Sequence, residues 1–87
     1  MTAVETEMAM DAGAYPGSPV MQAIVCAFAC YDVENGKVDG YDVVDNKPKT
    51  AAYRAPGAPQ AAFAVESLID EICGELKMDP IDFRLLN

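Results

Sequence analysis

Histidine is absent from this sequence, which removes the usual general base for a serine or cysteine nucleophile. A Ser-His or Cys-His mechanism is therefore excluded within the chain. The phosphate-loop signature GxxxxGK(S/T) and the dinucleotide fingerprint GxGxxG are also missing. Carboxylates are numerous, but no spacing places two of them across a pocket. Taken alone, the residues indicate no complete reaction, and we assign none of them a catalytic role.

Basic residues are scarce as well. Six lysines and arginines stand against 14 aspartates and glutamates, which gives a net charge of −8. Nucleic acids are bound through clustered Lys and Arg, so this composition argues against a nucleic-acid partner, and it disfavours an anionic membrane surface for the same reason. The longest apolar run, residues 20–31, is interrupted by Gln22 and is too short to cross a bilayer.

Only three cysteines are present, an odd number without the spacing of a disulfide framework. This usage favours a reducing, cytoplasmic setting. Cys26 and Cys30 lie four residues apart, which on a helix would make them half of a metal site. Without histidine or a CxxC motif, we favour two small buried hydrophobes and assign no metal ligand. Cys73 is expected in the core.

The hydrophobic pattern predicts a single partial domain over residues 1–87, with the order strand, helix, strand, helix and short helix. This order indicates the α+β class or a fragment of an α/β unit. Alternating apolar and polar side chains over residues 4–11 predict a half-buried strand. A turn is expected at residues 34–37, where Asn and Gly adjoin. A second strand is predicted over residues 38–45.

Ser18 followed by Pro19 is typical of a hydroxyl-capped helix start, and the helix is expected to reach Tyr31. Its side chains are apolar nearly all round. A helix of this kind is usually buried on every face. A chain of 87 residues has little material to cover such a helix, so we expect more protein around it.

A long helix is predicted over residues 59–77, with an apolar stripe and an acidic opposite face that we interpret as solvated. The stripe consists of Ala61, Ala62, Val65, Leu68, Ile69, Ile72, Cys73 and Leu76. The acidic face consists of Glu66, Asp70, Glu71 and Glu75.

A short last helix is predicted after the long one. Asp79 suits its cap and Pro80 its first position. Phe83, Leu85 and Leu86 are expected to point inward.

The segment before the long helix, residues 50–60, carries a possible ligand-facing loop. Arg54 is the only arginine in the middle of the chain, and Gly57 permits a backbone conformation closed to other residues and leaves room for a ligand. Pro59 suits the first turn of the helix. Such a loop could present main-chain donors and a guanidinium to an anionic or carbonyl-bearing ligand. A plain Pro/Gly turn before a helix is the competing interpretation.

Five passages together resemble one known family in order and spacing. They are DAGAY (11–15), GYDVVDNKP (40–48), AYRAPGAPQ (52–60), FAVESLID (63–70) and MDPIDFRLLN (78–87). On these passages the chain resembles a short internal fragment of the molybdenum-binding large subunit of the xanthine dehydrogenase / aldehyde oxidase family of molybdenum hydroxylases. The resemblance implies a piece of a large molybdopterin-binding α+β domain.

The resemblance also implies a cofactor and partners. The cofactor is molybdopterin, often extended as a cytosine dinucleotide, and it is held only together with the rest of the large subunit. The implied partners are that remainder and an iron–sulfur subunit, with an FAD subunit left open. The family's general-base glutamate lies near the end of the large subunit, outside this chain.

The resemblance implies roles for the central loop. It matches the family's aromatic-Arg-Gly-aromatic-Gly-Gly-Pro-Gln loop, which approaches molybdenum and its pterin. By that match Tyr53 and Arg54 are cofactor-binding. Ala55, Pro56 and Gly57 form the substrate-side loop.

Two positions depart from the family pattern. Pro56 stands where several members carry an aromatic that packs against a flat substrate, and Gln22 aligns with an arginine that polarises purine substrates. Both departures disfavour a purine. An aldehyde or another aromatic heterocycle remains as the implied substrate class.

Two functional hypotheses therefore stand at the level of the sequence. In the first, the chain is a segment of a molybdopterin-dependent oxidoreductase, inactive in isolation, and it contributes the loop at residues 52–60. In the second, it is a non-catalytic binding or assembly module that covers its apolar helix by self-association.

Overall fold

A computed structural model describes residues 1–87 as two strands and three helices. The predicted α+β class and the predicted order of elements are confirmed. The elements are β1 (Ala3–Gly13), α1 (Val20–Cys26), β2 (Asn35–Val44), α2 (Ala58–Leu76) and α3 (Pro80–Leu86).

β1 and β2 form a two-stranded parallel sheet, with α1 in the connection between them. The register runs from Ala3 opposite Asn35 to Gly13 opposite Val44, with an irregularity just before Gly13. Side chains of β1 alternate between exposed and half-buried, as a strand with one covered face requires. The turn expected at residues 34–37 is wrong, because Asn35 already pairs with β1 and its amide donates to the Thr2 carbonyl at 3.0 Å.

Helix α1 is shorter than predicted, since it ends at Cys26 rather than Tyr31. Past its end, hydrogen bonds three residues apart tighten the chain into turns, including Tyr31 N–H to the Phe28 carbonyl at 3.0 Å. The hydroxyl cap is also wrong. The N-cap is Pro19, and Ser18 Oγ accepts only a long 3.4 Å bond from Val20 N–H.

The cysteines divide between the surface and the core. Cys73 is buried, as predicted, whereas Cys26 and Cys30 are exposed. The expectation that both of these are buried is wrong, because nothing in the chain covers that side of the α1 segment. Met21 and Val25 are 63% and 70% exposed for the same reason.

Helix α2 supplies most of the core. Its buried residues recur every four positions, which places them on one stripe. Val65, Ile69 and Cys73 of this stripe form the hydrophobic core together with Ala27 and with Phe83 of α3. The buried residues of α2 are Ala61, Val65, Ile69 and Cys73. The other members of the predicted stripe lie at its margins, half-buried at Ile72 and exposed at Ala62, Leu68 and Leu76.

The start of α3 agrees with prediction. Asp79 Oδ1 accepts from Ile81 N–H at 2.8 Å and from Asp82 N–H at 3.2 Å, and Pro80 is the first helical residue. The inward direction predicted for the last leucines is wrong. Leu85 and Leu86 are 82% and 75% exposed, because Phe83 is the only residue of this short helix that is buried.

The chain presents more surface than its mass requires. Its accessible area is 6090 Å², whereas a compact protein of this mass has about 5,000 Å². The radius of gyration is 14.7 Å, against about 12 Å for a compact domain of this length. No helix has the length and apolarity needed to span a membrane.

Candidate functional site

The loop between β2 and α2 borders a cavity of about 360 Å³, together with Pro19 and the first turn of α2. The Tyr53 side chain is 88% exposed, and Arg54 is exposed as well. The structure therefore brings the predicted loop residues to one open concavity.

Two residues of this loop have left-handed backbone conformations. Ala55 has φ 55°, an uncommon value for a residue with a side chain, and its carbonyl accepts from Ala58 N–H at 3.2 Å. Gly57 has φ 78° and is the N-cap of α2. The loop thus makes a sharp turn into the helix.

Gly57 is buried against α1. A Cβ added there would lie 2.3 Å from the Pro19 carbonyl oxygen and 2.7 Å from Ala23 N. The space beside this glycine is therefore occupied by α1. The sequence offered no sign of this contact, since the two segments are far apart along the chain.

The loop has hydrogen-bond donors without partners in the chain. No main-chain N–H of residues 51–57 donates a hydrogen bond to the protein. Arg54 makes no ion pair, whereas Lys37, Lys47 and Arg84 each contact carboxylates. Arg54 is therefore not neutralised by the acidic face of α2. Unpaired donors and a free guanidinium suit an anionic ligand.

The base of the loop is joined to the end of β1. Thr50 N–H donates to the Ala12 carbonyl at 3.0 Å, and Ala14 N–H donates to the Lys47 carbonyl at 2.9 Å. Gly13 permits this approach, because a Cβ there would lie 2.1 Å from the Pro48 carbonyl oxygen. These hydrogen bonds fix the beginning of the segment that leads to Tyr53 against the end of β1.

Asp42 binds the segment that leads to Pro19, which borders the cavity. Its carboxylate accepts from Gly17 N–H at 2.5 Å and from Ser18 N–H at 3.0 Å. The Ser18 hydroxyl and then the Gly17 amide lower the pKa of Asp42 below its usual 3.8. Sequence reasoning missed this residue, because an aspartate in an alternating strand does not reveal partners 24 and 25 residues upstream.

Glu66, a member of the acidic face that was interpreted as solvated, is half-buried and joins three elements. It accepts from the Tyr31 hydroxyl at 2.5 Å and from Arg84 Nε at 2.8 Å, and Arg84 also contacts Asp70. The interpretation of this face as solvated is therefore wrong at Glu66, because Tyr31 and Arg84 bind its carboxylate. The acidic face of α2 is partly paired within the chain, with Arg84 as its cation.

The whole chain, residues 1–87, matches the family model described as "Molybdopterin cofactor-binding domain". The chain belongs to this family. The resemblance seen in the sequence is thereby confirmed, and the α+β arrangement agrees with a part of such a domain.

Named relatives of this cofactor-binding domain are much longer proteins. The nicotinate dehydrogenase large molybdopterin subunit of Eubacterium barkeri is 38% identical over 90 residues, covering 100% of the chain and 21% of that subunit. The aldehyde oxidoreductase of Megalodesulfovibrio gigas is 39% identical over 59 residues, or 68% of the chain and 6% of that protein. A putative xanthine dehydrogenase molybdenum-binding subunit of Escherichia coli is 48% identical over 42 residues, or 48% of the chain and 6% of that subunit. The chain therefore spans about a fifth or less of these relatives.

Proposed function

We propose that this molybdopterin-binding domain forms one wall of the active site of a molybdenum hydroxylase, through the loop at residues 52–60. The main observation in support is that Arg54 is exposed and makes no ion pair, although the chain has a net charge of −8. An unpaired guanidinium beside a cavity, on a loop that is fixed at its base, suits an anionic ligand.

The donor set of the loop fits the cofactor that the family implies. Molybdopterin carries a phosphate, and phosphates are bound by arginine and by unpaired main-chain N–H groups. Tyr53 and Arg54 would hold the cofactor, while Ala55 and Pro56 would face the substrate. Gly57, expected to leave room for a ligand, also lines the cavity, but α1 fills the space beside it, so Gly57 would set the turn of this substrate-side loop. A cytosine dinucleotide extension would add a second phosphate, for which the same kind of donor is suited. When bound, the molybdenum centre supplies the redox chemistry of hydroxylation.

The substrate class that we infer is an aldehyde or an aromatic heterocycle other than a purine. Pro56 offers no ring for stacking, and Gln22 is exposed and uncharged. Two relatives, named as a nicotinate dehydrogenase subunit and an aldehyde oxidoreductase, support these two classes.

The partners that we infer follow from the size of the relatives. Two of them are named as subunits, so this domain would work with the remainder of a large subunit. An iron–sulfur subunit, and an FAD subunit in addition, would carry electrons away from the cofactor. Three free cysteines suit a cytoplasmic setting for this assembly.

The loop's role is tested by Arg54→Gln in the enzyme assembled with its other subunits. We expect loss of molybdopterin content and of turnover, because a charge-assisted contact to the phosphate is removed. Lys77→Gln is the matched control, since Lys77 is also exposed and makes no ion pair. Equal cofactor content and turnover in the two variants would show that Arg54 does not hold the cofactor.

A second candidate function is favoured by the exposed apolar surface. A non-catalytic assembly module would cover Leu85, Leu86 and Val25 by self-association. Native mass and metal analysis of the protein from its own source separates the two functions. A large complex with stoichiometric molybdenum supports the hydroxylase, whereas a metal-free homo-oligomer supports the module.

A further inference from the structure

Asp42 is an exposed residue of β2, on the same side of the strand as Gly40. Gly40, two residues earlier on the same face, contacts α1 so closely that a Cβ would lie 2.8 Å from Ile24 Cγ2. Aspartate is disfavoured within strands. Here its carboxylate accepts two main-chain hydrogen bonds, from Gly17 and Ser18.

These bonds act on the start of α1. Ser18 directly precedes Pro19, whose carbonyl accepts from Ala23 N–H at 3.1 Å in the first turn of the helix. Pro19 and Ala23 are also the residues against which Gly57 is buried. The contacts therefore run without a gap from Asp42, through the start of α1, to the loop at Gly57.

No other side chain holds this junction. α1 has no side-chain cap, and the Ser18 hydroxyl reaches Val20 N–H only at 3.4 Å. The nearby cation is Lys49, whose Nζ donates to the Thr50 carbonyl at 2.7 Å. Asp42 is therefore the side chain that fixes the segment before α1.

We propose that Asp42 is a positioning residue for the loop at residues 52–57, acting through Gly17, Ser18 and the start of α1 on Gly57. The effect of Asp42 on cofactor binding rests on the proposed function. The effect of Asp42 on the conformation of the loop does not rest on it, because all of the contacts involved lie within the chain.

Limited trypsin digestion measures the loop directly. Trypsin cleaves after Arg54 in the loop and after Arg84, which lies in α3 and is bound to Glu66 and Asp70. Unfolding of the whole chain raises the rate of cleavage at both arginines, whereas release of the loop raises only the rate of cleavage after Arg54. The ratio of the two rates thus reports the loop alone. The digestion uses the protein as purified, with the subunits that accompany it.

We compare Asp42→Ala with Asp39→Ala as a matched control. Asp39 lies on the same strand and is bound to Lys37 instead of the segment before α1. Loss of two bonds to a carboxylate should raise the Arg54-to-Arg84 cleavage ratio roughly tenfold in Asp42→Ala, with little change in the control. Asp42→Asn, which keeps one acceptor oxygen and the shape of the side chain, should give an intermediate ratio.

An unchanged ratio in both Asp42 variants would overturn the proposal, and so would an equal rise in the Asp39 control. If Asp42→Ala does not fold, Asp42→Asn decides between these outcomes. Cofactor content of the same samples is read separately. A raised ratio with unchanged cofactor content would keep the positioning role and count against the cofactor role of the loop.

Discussion

Gly57 lies where the loop meets α1, and a methyl group there would have no room. The added carbon would clash with the Pro19 carbonyl at 2.3 Å, and φ of 78° is unfavourable for any other residue. We expect Gly57→Ala to lower the free energy of unfolding by on the order of 2–5 kcal/mol, from overpacking and backbone strain together. Urea unfolding of the two proteins measures this difference.

Gly74 is the matched glycine for this experiment. It lies within α2, and a Cβ there would meet no atom within 4 Å. Gly74→Ala should therefore stabilise the protein by about 0.5–1 kcal/mol through helix propensity alone. Similar effects of the two substitutions would contradict the close contact between Gly57 and α1.

At the scale of elements, the Glu66 network joins α2 to α3 and to the turn that carries Tyr31. The Tyr31 hydroxyl, and then Arg84, hold the pKa of Glu66 below its usual 4.5. The pKa of Glu66 is thus lower in the folded protein than in the unfolded chain, where it is about 4.5. The contribution of Glu66 to the free energy of unfolding is therefore complete above pH 4.5 and is lost as the pH falls through the pKa of the folded state. The network is therefore expected to open in acid.

Glu66→Gln tests this acid sensitivity. The neutral amide cannot titrate, so Tm should be lower by a few degrees near neutral pH and should fall less steeply as the pH drops below 4.5. Glu71→Gln serves as the control, because Glu71 is exposed on the same helix and unpaired. If the Tm of both variants equals that of the parent protein at every pH in the acid range, the network does not contribute to stability.

The elements also show which features could be predicted from sequence. The cap at Asp79 was predicted because its partners lie two and three residues away. The end of α1 was not, because tertiary contacts of Phe28 and Tyr31 with the core decide it. The direction of Leu85 likewise depends on how α3 meets α2. Local signals therefore predicted to within one residue where each helix begins, and packing decided where α1 ends.

The same division applies to the candidate site. A local motif indicated the loop around Arg54, and the structure places that residue at an open cavity. The supports of the loop at Gly13, Asp42 and Gly57 were missed. Each of them contacts a segment that is distant along the chain, which periodicity and composition do not report.

At the scale of the whole molecule, the exposed apolar surface calls for a covering partner. The chain has about a fifth more accessible area than a compact protein of its mass. Two adjacent leucines, Leu85 and Leu86, are among its most exposed apolar side chains. Such surface drives association when its natural cover is missing. We therefore expect the 87-residue chain alone to self-associate at micromolar concentrations.

The variant Leu85→Gln/Leu86→Gln should weaken this association, because it removes apolar area without touching the buried Phe83. Sedimentation velocity over a concentration series measures the shift toward monomer. Asp82→Gln on the same helix is the control, since it exchanges one exposed polar side chain for another. A parent chain that stays monomeric throughout would mean that this surface is tolerated in water. If the double variant associates as strongly as the parent chain, the contact between copies lies on another surface, such as the uncovered side of α1 at Met21 and Val25.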